Sequence, residues 1–283
     1  MGNRKNIKIA IILHIFYYEY VDELLQAVSN FEDIDREIFI TIPESLIHYK
    51  NVLKRKFQCK NLFVVNNVGY DIYPFIKVVD TLNLDEYDYI CKLHTKRDMP
   101  ENVYLKGLHI PGNSWRRALL TFVSTKTNVR KTIDQFKNKD VGLVAYHQVL
   151  CDDKHDSEKK LYPTIKNTMR KLCLPDVQEK KFVAGTMFAV RASLLKYLQS
   201  QFKEDDFGEP DIEHNKQDFA HVMERCLGFA VLAQGYKIVS FDKKDADLEY
   251  LKSKMKSVLF CKKYTTHHII IRIFGIPIFY KKR

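Results

Sequence analysis

The run Ile7–Ile15 is apolar apart from Lys8 and His14, the pattern of a strand buried on both faces. Tyr20–Phe31 follows with helical spacing at Val21, Leu24, Leu25 and Val28. Glu37–Ile42 reads as a second strand. Pro43 stands where a helix accepts proline, and Glu44–Phe57 continues as a basic amphipathic helix. Asn61–Val65 is a third strand, closed by the turn residues Asn66-Asn67-Val68-Gly69. Asp71–Leu82 reads as a helix entered through Pro74, and Tyr87–Leu93 as a fourth strand. This alternation predicts an α/β fold with a mostly parallel central sheet and helices on both faces.

The second half is less regular. Val141–Ala145 and Phe182–Val190 read as strands, Ser114–Phe122 and Phe219–Phe229 as helices, and residues 151–160 as a solvated loop. We divide the chain into a domain over 1–250, with halves 1–145 and 146–250, and a basic, apolar tail over 251–283.

Ligands of open α/β sheets bind beyond the carboxyl ends of the strands. Polar residues gather at those ends: His14, Thr41, Asn67 to Asp71, and His94 to Arg97. In Asn67-Val68-Gly69-Tyr70-Asp71, Gly69 permits a positive φ, and Asn67 and Asp71 have the groups to bind a ribose or base. The same residues fit an ordinary turn with an Asx cap. His94-Thr95-Lys96-Arg97 would set cationic donors at the crevice mouth, suited to a diphosphate; a solvated basic strand end reads identically. Trp115, the single tryptophan, and Arg116 suit a sugar face and a phosphate, or a core indole beside an exposed arginine. Gly185 and Thr186 inside an apolar strand suggest close backbone approach by a ligand, or a bulge. On the helix Gln217–Phe229, Phe219, Val222, Met223, Cys226 and Leu227 form the buried stripe. Asp218, His221, Glu224 and Arg225 fall on the remaining face, and Glu224 and Arg225 border the stripe. A carboxylate beside a histidine and an arginine has the makings of a general base; a solvated helix face with local ion pairs is the plainer reading.

Composition narrows the classes. The chain has 283 residues, 46% of them hydrophobic, enough for one large α/β domain or two small ones. No apolar run reaches the roughly 18–20 residues that span a bilayer. The basic opening Met1–Lys8 with its apolar sequel has the outline of a signal peptide. His14, the acidic residues Glu19, Asp22 and Glu23, and the lack of a small-residue cleavage site favour a buried first strand instead. Six cysteines without CxxC spacing argue against a zinc site or disulfide framework and fit a reducing compartment. A net charge of +11 favours a polyanionic partner. Nucleic acid is not expected, because the aromatics do not interleave with one basic stripe and no nucleic-acid-binding motif occurs. At the C-terminus, Ile and Phe alternate with Arg and Lys over residues 267–283. That composition suits an anionic membrane surface, or a final hairpin packed on the domain.

Taken in order, LHIFYYE, FITIPES, NNVGYDIYPF, YDYICKLHTKRD, SWRRALL, FVAGTMFAVR and HVMERCLGF resemble the rhamnan synthesis protein F family from about Ile7 to Phe229. The resemblance implies a GT-A-like nucleotide-diphosphosugar transferase fold. It also implies transfer of a sugar, most typically rhamnose from dTDP-rhamnose, to a polysaccharide or lipid-linked glycan acceptor. The expected place is the inner, cytoplasmic face of a bacterial membrane, peripherally bound. In inverting relatives of that fold an Asp-x-Asp strand end holds a divalent metal, and a later carboxylate deprotonates the acceptor. Here the strand ends in His-Thr-Lys, so metal dependence stays open. Asp85 lies in the turn before the strand that carries Asp88, and the two do not form a metal pair. Under this resemblance Asn67, Gly69, Asp71, His94, Lys96, Arg97, Gly185 and Thr186 serve the donor. Trp115 and Arg116 serve the acceptor. Glu224 is the base, with His221 in reserve, and no residue is assigned to a metal. Two other classes remain open: a catalytically silent glycan- or nucleotide-binding protein on this fold, and a nucleic-acid-binding protein.

Overall fold

A computed structural model describes residues 7–100, 103–105, 108–152, 161–208, 219–242, 260–264, 268–273 and 276–282. The first half follows the predicted alternation. Strand β1 (Lys8–His14), helix α1 (Val21–Ser29), strand β2 (Asp35–Pro43), helix α2 (Lys50–Lys56) and strand β3 (Asn61–Val65) come first. Helix α3 (Ile72–Val79) and strand β4 (Tyr89–His94) complete it. One difference is local. The basic helix expected from Glu44 begins as a 3₁₀ segment over Glu44–Tyr49 and becomes α-helical at Lys50. Pro43 ends β2 with extended ψ, the geometry of a residue still in the strand.

The short hairpin β5 (Val103–Leu105) and β6 (Leu108–Ile110) leads to helices α4 (Trp115–Leu120) and α5 (Lys126–Gln135). Next come β7 (Val141–Ala145), β8 (Leu150–Asp152), helix α6 (Tyr162–Lys171), β9 (Lys181–Val183), β10 (Phe188–Arg191), helix α7 (Phe219–Ala233) and β11 (Lys237–Ser240). The single strand expected over Phe182–Val190 is therefore two. Gly185 and Thr186 take φ of 73° and 51°, a left-handed turn that no strand accommodates. It sends β9 to pair with β8 and β10 into the main sheet. Of the loop expected over 151–160, the first two residues belong to β8, and 153–160 lie outside the described residues, as do Gln217 and Asp218.

Among the described residues the main sheet has seven strands, in the order β11-β7-β10-β4-β1-β2-β3. All neighbours run parallel except β10, which is antiparallel to both β4 and β7. Every residue of β7 and all but the first of β1 are buried. Alternate side chains point to opposite faces, so the sheet is covered on both sides. In register, His14 lies beside Thr41 on one flank and His94 on the other. Helix α7 packs closely on β9. A Cβ at Gly228 would stand 2.5 Å from the Lys181 carbonyl oxygen and 2.7 Å from the Phe182 Cα, so only glycine lets the helix lie there. That approach carries Glu224, one turn earlier, to the Gly185–Thr186 turn.

Residues 260–282 of the expected tail contain a three-stranded antiparallel sheet: β12 (Phe260–Tyr264), β13 (His268–Ile273) and β14 (Ile276–Lys282). Residues 251–259 of that tail lie outside the described residues. Among the described residues no helix is long and apolar enough to cross a membrane.

Candidate active site at the carboxyl ends of the strands

Strand order reverses at β1, flanked by β2 on one side and β4 on the other, and crevices of α/β sheets form at such points. At this point the carboxyl ends of β1, β2 and β4 present His14, Thr41 and His94. His14 Nδ1 lies 3.0 Å from the Thr41 hydroxyl. Thr95 closes the rim beneath them, its Oγ1 accepting from the amides of Phe16 and Tyr17, each at 2.9 Å.

The centre of the site is Asp71, at the start of α3. Its Oδ2 accepts from the Lys92 ammonium and from the Thr186 hydroxyl, and His94 Nδ1 lies 3.4 Å away. Lys92 is only 1% exposed. Its ammonium also donates to the Thr186 carbonyl oxygen at 3.0 Å and meets the Thr186 hydroxyl at 2.9 Å. One lysine thus ties β4, the start of α3 and the turn before β10 together. A buried ammonium persists only when it is paired and hydrogen-bonded, and here each of its three protons has a partner.

These neighbours set the charges. Burial, the largest influence on Asp71, opposes ionisation. The field of His94, protonated in the acid range where Asp71 titrates, those of Lys92 and Lys96, and the Lys92 hydrogen bond outweigh it and hold the carboxyl well below the usual carboxylate range. Burial also pulls the Lys92 ammonium below the ordinary lysine value, against the pull of Asp71. His94 is lowered well below the ordinary histidine value, first by burial, with Asp71 opposing and Lys92 and Lys96 adding to the effect. His94 is therefore neutral near pH 7, and the cations facing Asp71 at that pH are Lys92 and Lys96. Burial likewise lowers His14 to about 4, with Asp71 opposing and Lys92 assisting.

Two features of the cluster are unsatisfied. Both ring nitrogens of His94 are buried without a hydrogen-bond partner among the described residues. The half-buried Lys96 forms no ion pair among them, although its charge reaches Asp71, Lys92 and His94. Buried polar atoms in folded proteins are nearly always satisfied, and a ligand or water in the crevice would do so here.

Glu224 approaches from the other side. Its Oε1 accepts from the Gly185 amide at 2.7 Å and its Oε2 from Arg225 at 2.8 Å. Arg225 is buried, its guanidinium 4.7 Å from the Phe182 ring. Gly185 is tightly enclosed: a Cβ there would stand 2.6 Å from Leu119 Cδ2 and 3.1 Å from Trp115 Cζ2.

The structure thus brings Asp71, His94, Lys96, Gly185, Thr186 and Glu224 together. His221, one turn before Glu224, sets its ring 6.2 Å from the exposed Tyr70. Gly69 (φ 63°) turns the chain under the Phe207 ring, and Asn67 is exposed. Arg97 turns away, its guanidinium 4.4 Å from the Tyr17 ring and 3.4 Å from Glu19. Trp115 is 6% exposed, packed behind the Gly185 turn, so protein covers most of its face. Arg116 is bound to Glu23 and Asp98 and lies 4.3 Å from the Tyr20 ring.

Sequence reasoning missed Lys92, which shares a strand face with His94 two residues on. Its signal was a lysine in the middle of an otherwise buried strand. A second cluster was missed too. His147, just beyond β7, contacts Asp242, just beyond β11, through Nδ1 at 2.9 Å, and Ser240 donates to the same carboxylate. The strand-end logic used for the first half would have found it.

A mostly parallel seven-stranded sheet, with polar side chains gathered at the carboxyl ends of the strands around its switch point, makes this an α/β protein. A model of the rhamnan synthesis protein F family matches residues 1–236, and the chain belongs to that family, whose members take part in rhamnan and polysaccharide synthesis. Two curated relatives, each named uncharacterized protein WxcX, come from strains B100 and ATCC 33913 of Xanthomonas campestris pv. campestris. They are 25% and 24% identical over 242 residues, covering 82% of this chain and 32% of each relative. The chain thus spans about a third of the length of these relatives.

Proposed function

We propose that this chain is a glycosyltransferase that moves a sugar, rhamnose as the family name suggests, from a nucleotide-sugar donor to a growing cell-surface polysaccharide. The donor expected is dTDP-rhamnose, and the acceptor a polysaccharide or lipid-linked glycan. The reading rests above all on Lys96, which forms no ion pair among the described residues, and on the His94 nitrogens, which have no hydrogen-bond partner among them, at the switch point of a mostly parallel sheet. A departing diphosphate needs its growing charge met, and fixed donors in a crevice meet it without reorganisation. Lys96 and His94 hold the diphosphate; Asn67, Gly69 and the free oxygen of Asp71 serve the nucleoside; Gly185 and Thr186 line the junction with the acceptor. Glu224 takes the acceptor proton in a single in-line displacement that inverts the anomeric centre. The mixed sheet, with one antiparallel strand beside β4, is compatible with a GT-A-like layout. The basic C-terminal sheet would rest on an anionic membrane surface.

The test is thermal stabilisation by a panel of nucleoside diphosphates, since a ligand of the native state raises the midpoint by mass action. One member should stabilise the parent, and Lys96→Ala should lose most of that shift. A full shift in Lys96→Ala would remove Lys96 from the diphosphate.

A further inference from the structure

Lys92 is buried, and its one ammonium joins three elements. Its ammonium binds the carbonyl and the hydroxyl of Thr186 and the carboxylate of Asp71. Thr186 and Gly185 both occupy the left-handed region, which costs free energy for a threonine and persists only where the surroundings fix it. The amide that this turn exposes, that of Gly185, donates to Glu224. The other oxygen of Glu224 is held by Arg225. The carboxylate is thus aimed by one bond from its own helix and one from a turn that Lys92 pins.

We infer that Lys92 is a positioning residue. It locks the strained Gly185–Thr186 turn so that the Gly185 amide fixes the Glu224 carboxylate at the mouth of the crevice. The inference rests on the reading of Glu224 as the base only for its effect on turnover; its effect on the turn is independent. The amide of Gly185 holds the Glu224 carboxylate in one rotamer. The lysine acts on the turn and makes no hydrogen bond to Glu224 itself. Asp71 keeps the lysine charged, and the apolar strand around it keeps water away.

The experiment uses the whole chain labelled with ¹⁵N-glycine, which gives ten signals from its ten glycines. In the parent, Glu224→Gln should shift the Gly185 signal, and the Gly185 amide should exchange slowly. In Lys92→Met the Gly185 amide should exchange about tenfold faster, the factor for one lost hydrogen bond to a charged group. The signal should also stop responding to Glu224→Gln. Turnover should fall about 100-fold, the scale for a misplaced reacting group, a larger effect than any rise in donor KM from the partner that Asp71 loses. If Lys92→Met does not fold, Thr186→Ala removes one of the lysine's partners without stranding a charge, and the same rise in exchange is expected. Parent-like exchange at Gly185 in the folded variant overturns the inference. So does a donor KM that rises with no loss of kcat, which would make Lys92 a donor contact. Normal turnover in Glu224→Gln, with the exchange result as expected, leaves the positioning intact and removes the base assignment instead.

Discussion

His14 offers a quantitative check on the charge balance of the crevice. Its imidazole is buried between Thr41 and the Asp71–Lys92 pair, and burial lowers it from 6.5 to about 4. Because the folded value lies below the unfolded one, the unfolded chain takes the proton first. This contribution to stability is complete above about pH 6.5 and is lost as pH falls toward 4. Between pH 7.5 and pH 5, His14 alone accounts for a loss of roughly 2 kcal/mol. His94 is shifted the same way and adds to the loss. Asp71, held well below the carboxylate range, contributes stability that is lost only under more acid conditions. Replacing His14 by Asn removes the titration while keeping a polar partner for Thr41. Urea unfolding at the two pH values, extrapolated linearly to water, measures the effect. The parent should lose at least about 2 kcal/mol more than His14→Asn over this interval. An equal loss in both would show that His14 is not buried neutral and that the crevice is wetter and less cationic than described.

Two further outcomes follow from the site and the C-terminal sheet. Glu224→Gln should lower transfer by roughly 10²–10⁴-fold with donor binding retained, whereas His221→Asn should retain turnover. Kinetics on the two variants side by side decide, and the reverse result would exchange their roles. Truncation at residue 259, which removes β12 to β14 together, should abolish salt-sensitive flotation with anionic liposomes. Equal flotation of both forms would place the contact elsewhere, with α2 the next candidate.

The first half was legible because its chemistry is periodic. Continuous apolar runs gave β1 and β3, helical spacing gave α1, and strand-end logic brought His14, Thr41 and His94 to one rim. The second half was harder because its signals conflict. An apolar stretch from Phe182 to Val190 satisfies a strand template throughout, and only the backbone reveals that Gly185 and Thr186 turn it. That turn makes β10 antiparallel, a reversal that no local pattern encodes. Lys92 was hidden for a different reason. A lysine among apolar residues reads as an edge or a solvated position, and the partners that allow its burial, Asp71 and Thr186, lie 21 and 94 residues away. Arg225 was placed at the border of its helix stripe and is buried beside Phe182. Its pairing with Glu224 bridges the core and the crevice, which the stripe alone did not show.

The central claim is sugar transfer from a nucleotide sugar, and it is tested most directly by nucleoside diphosphate release from dTDP-rhamnose in the presence of a rhamnose-terminated glycan. The account predicts acceptor-dependent release coupled to one added sugar of inverted anomeric configuration, lost in Glu224→Gln. Neither binding nor release with dTDP-rhamnose or any other nucleotide sugar would contradict it.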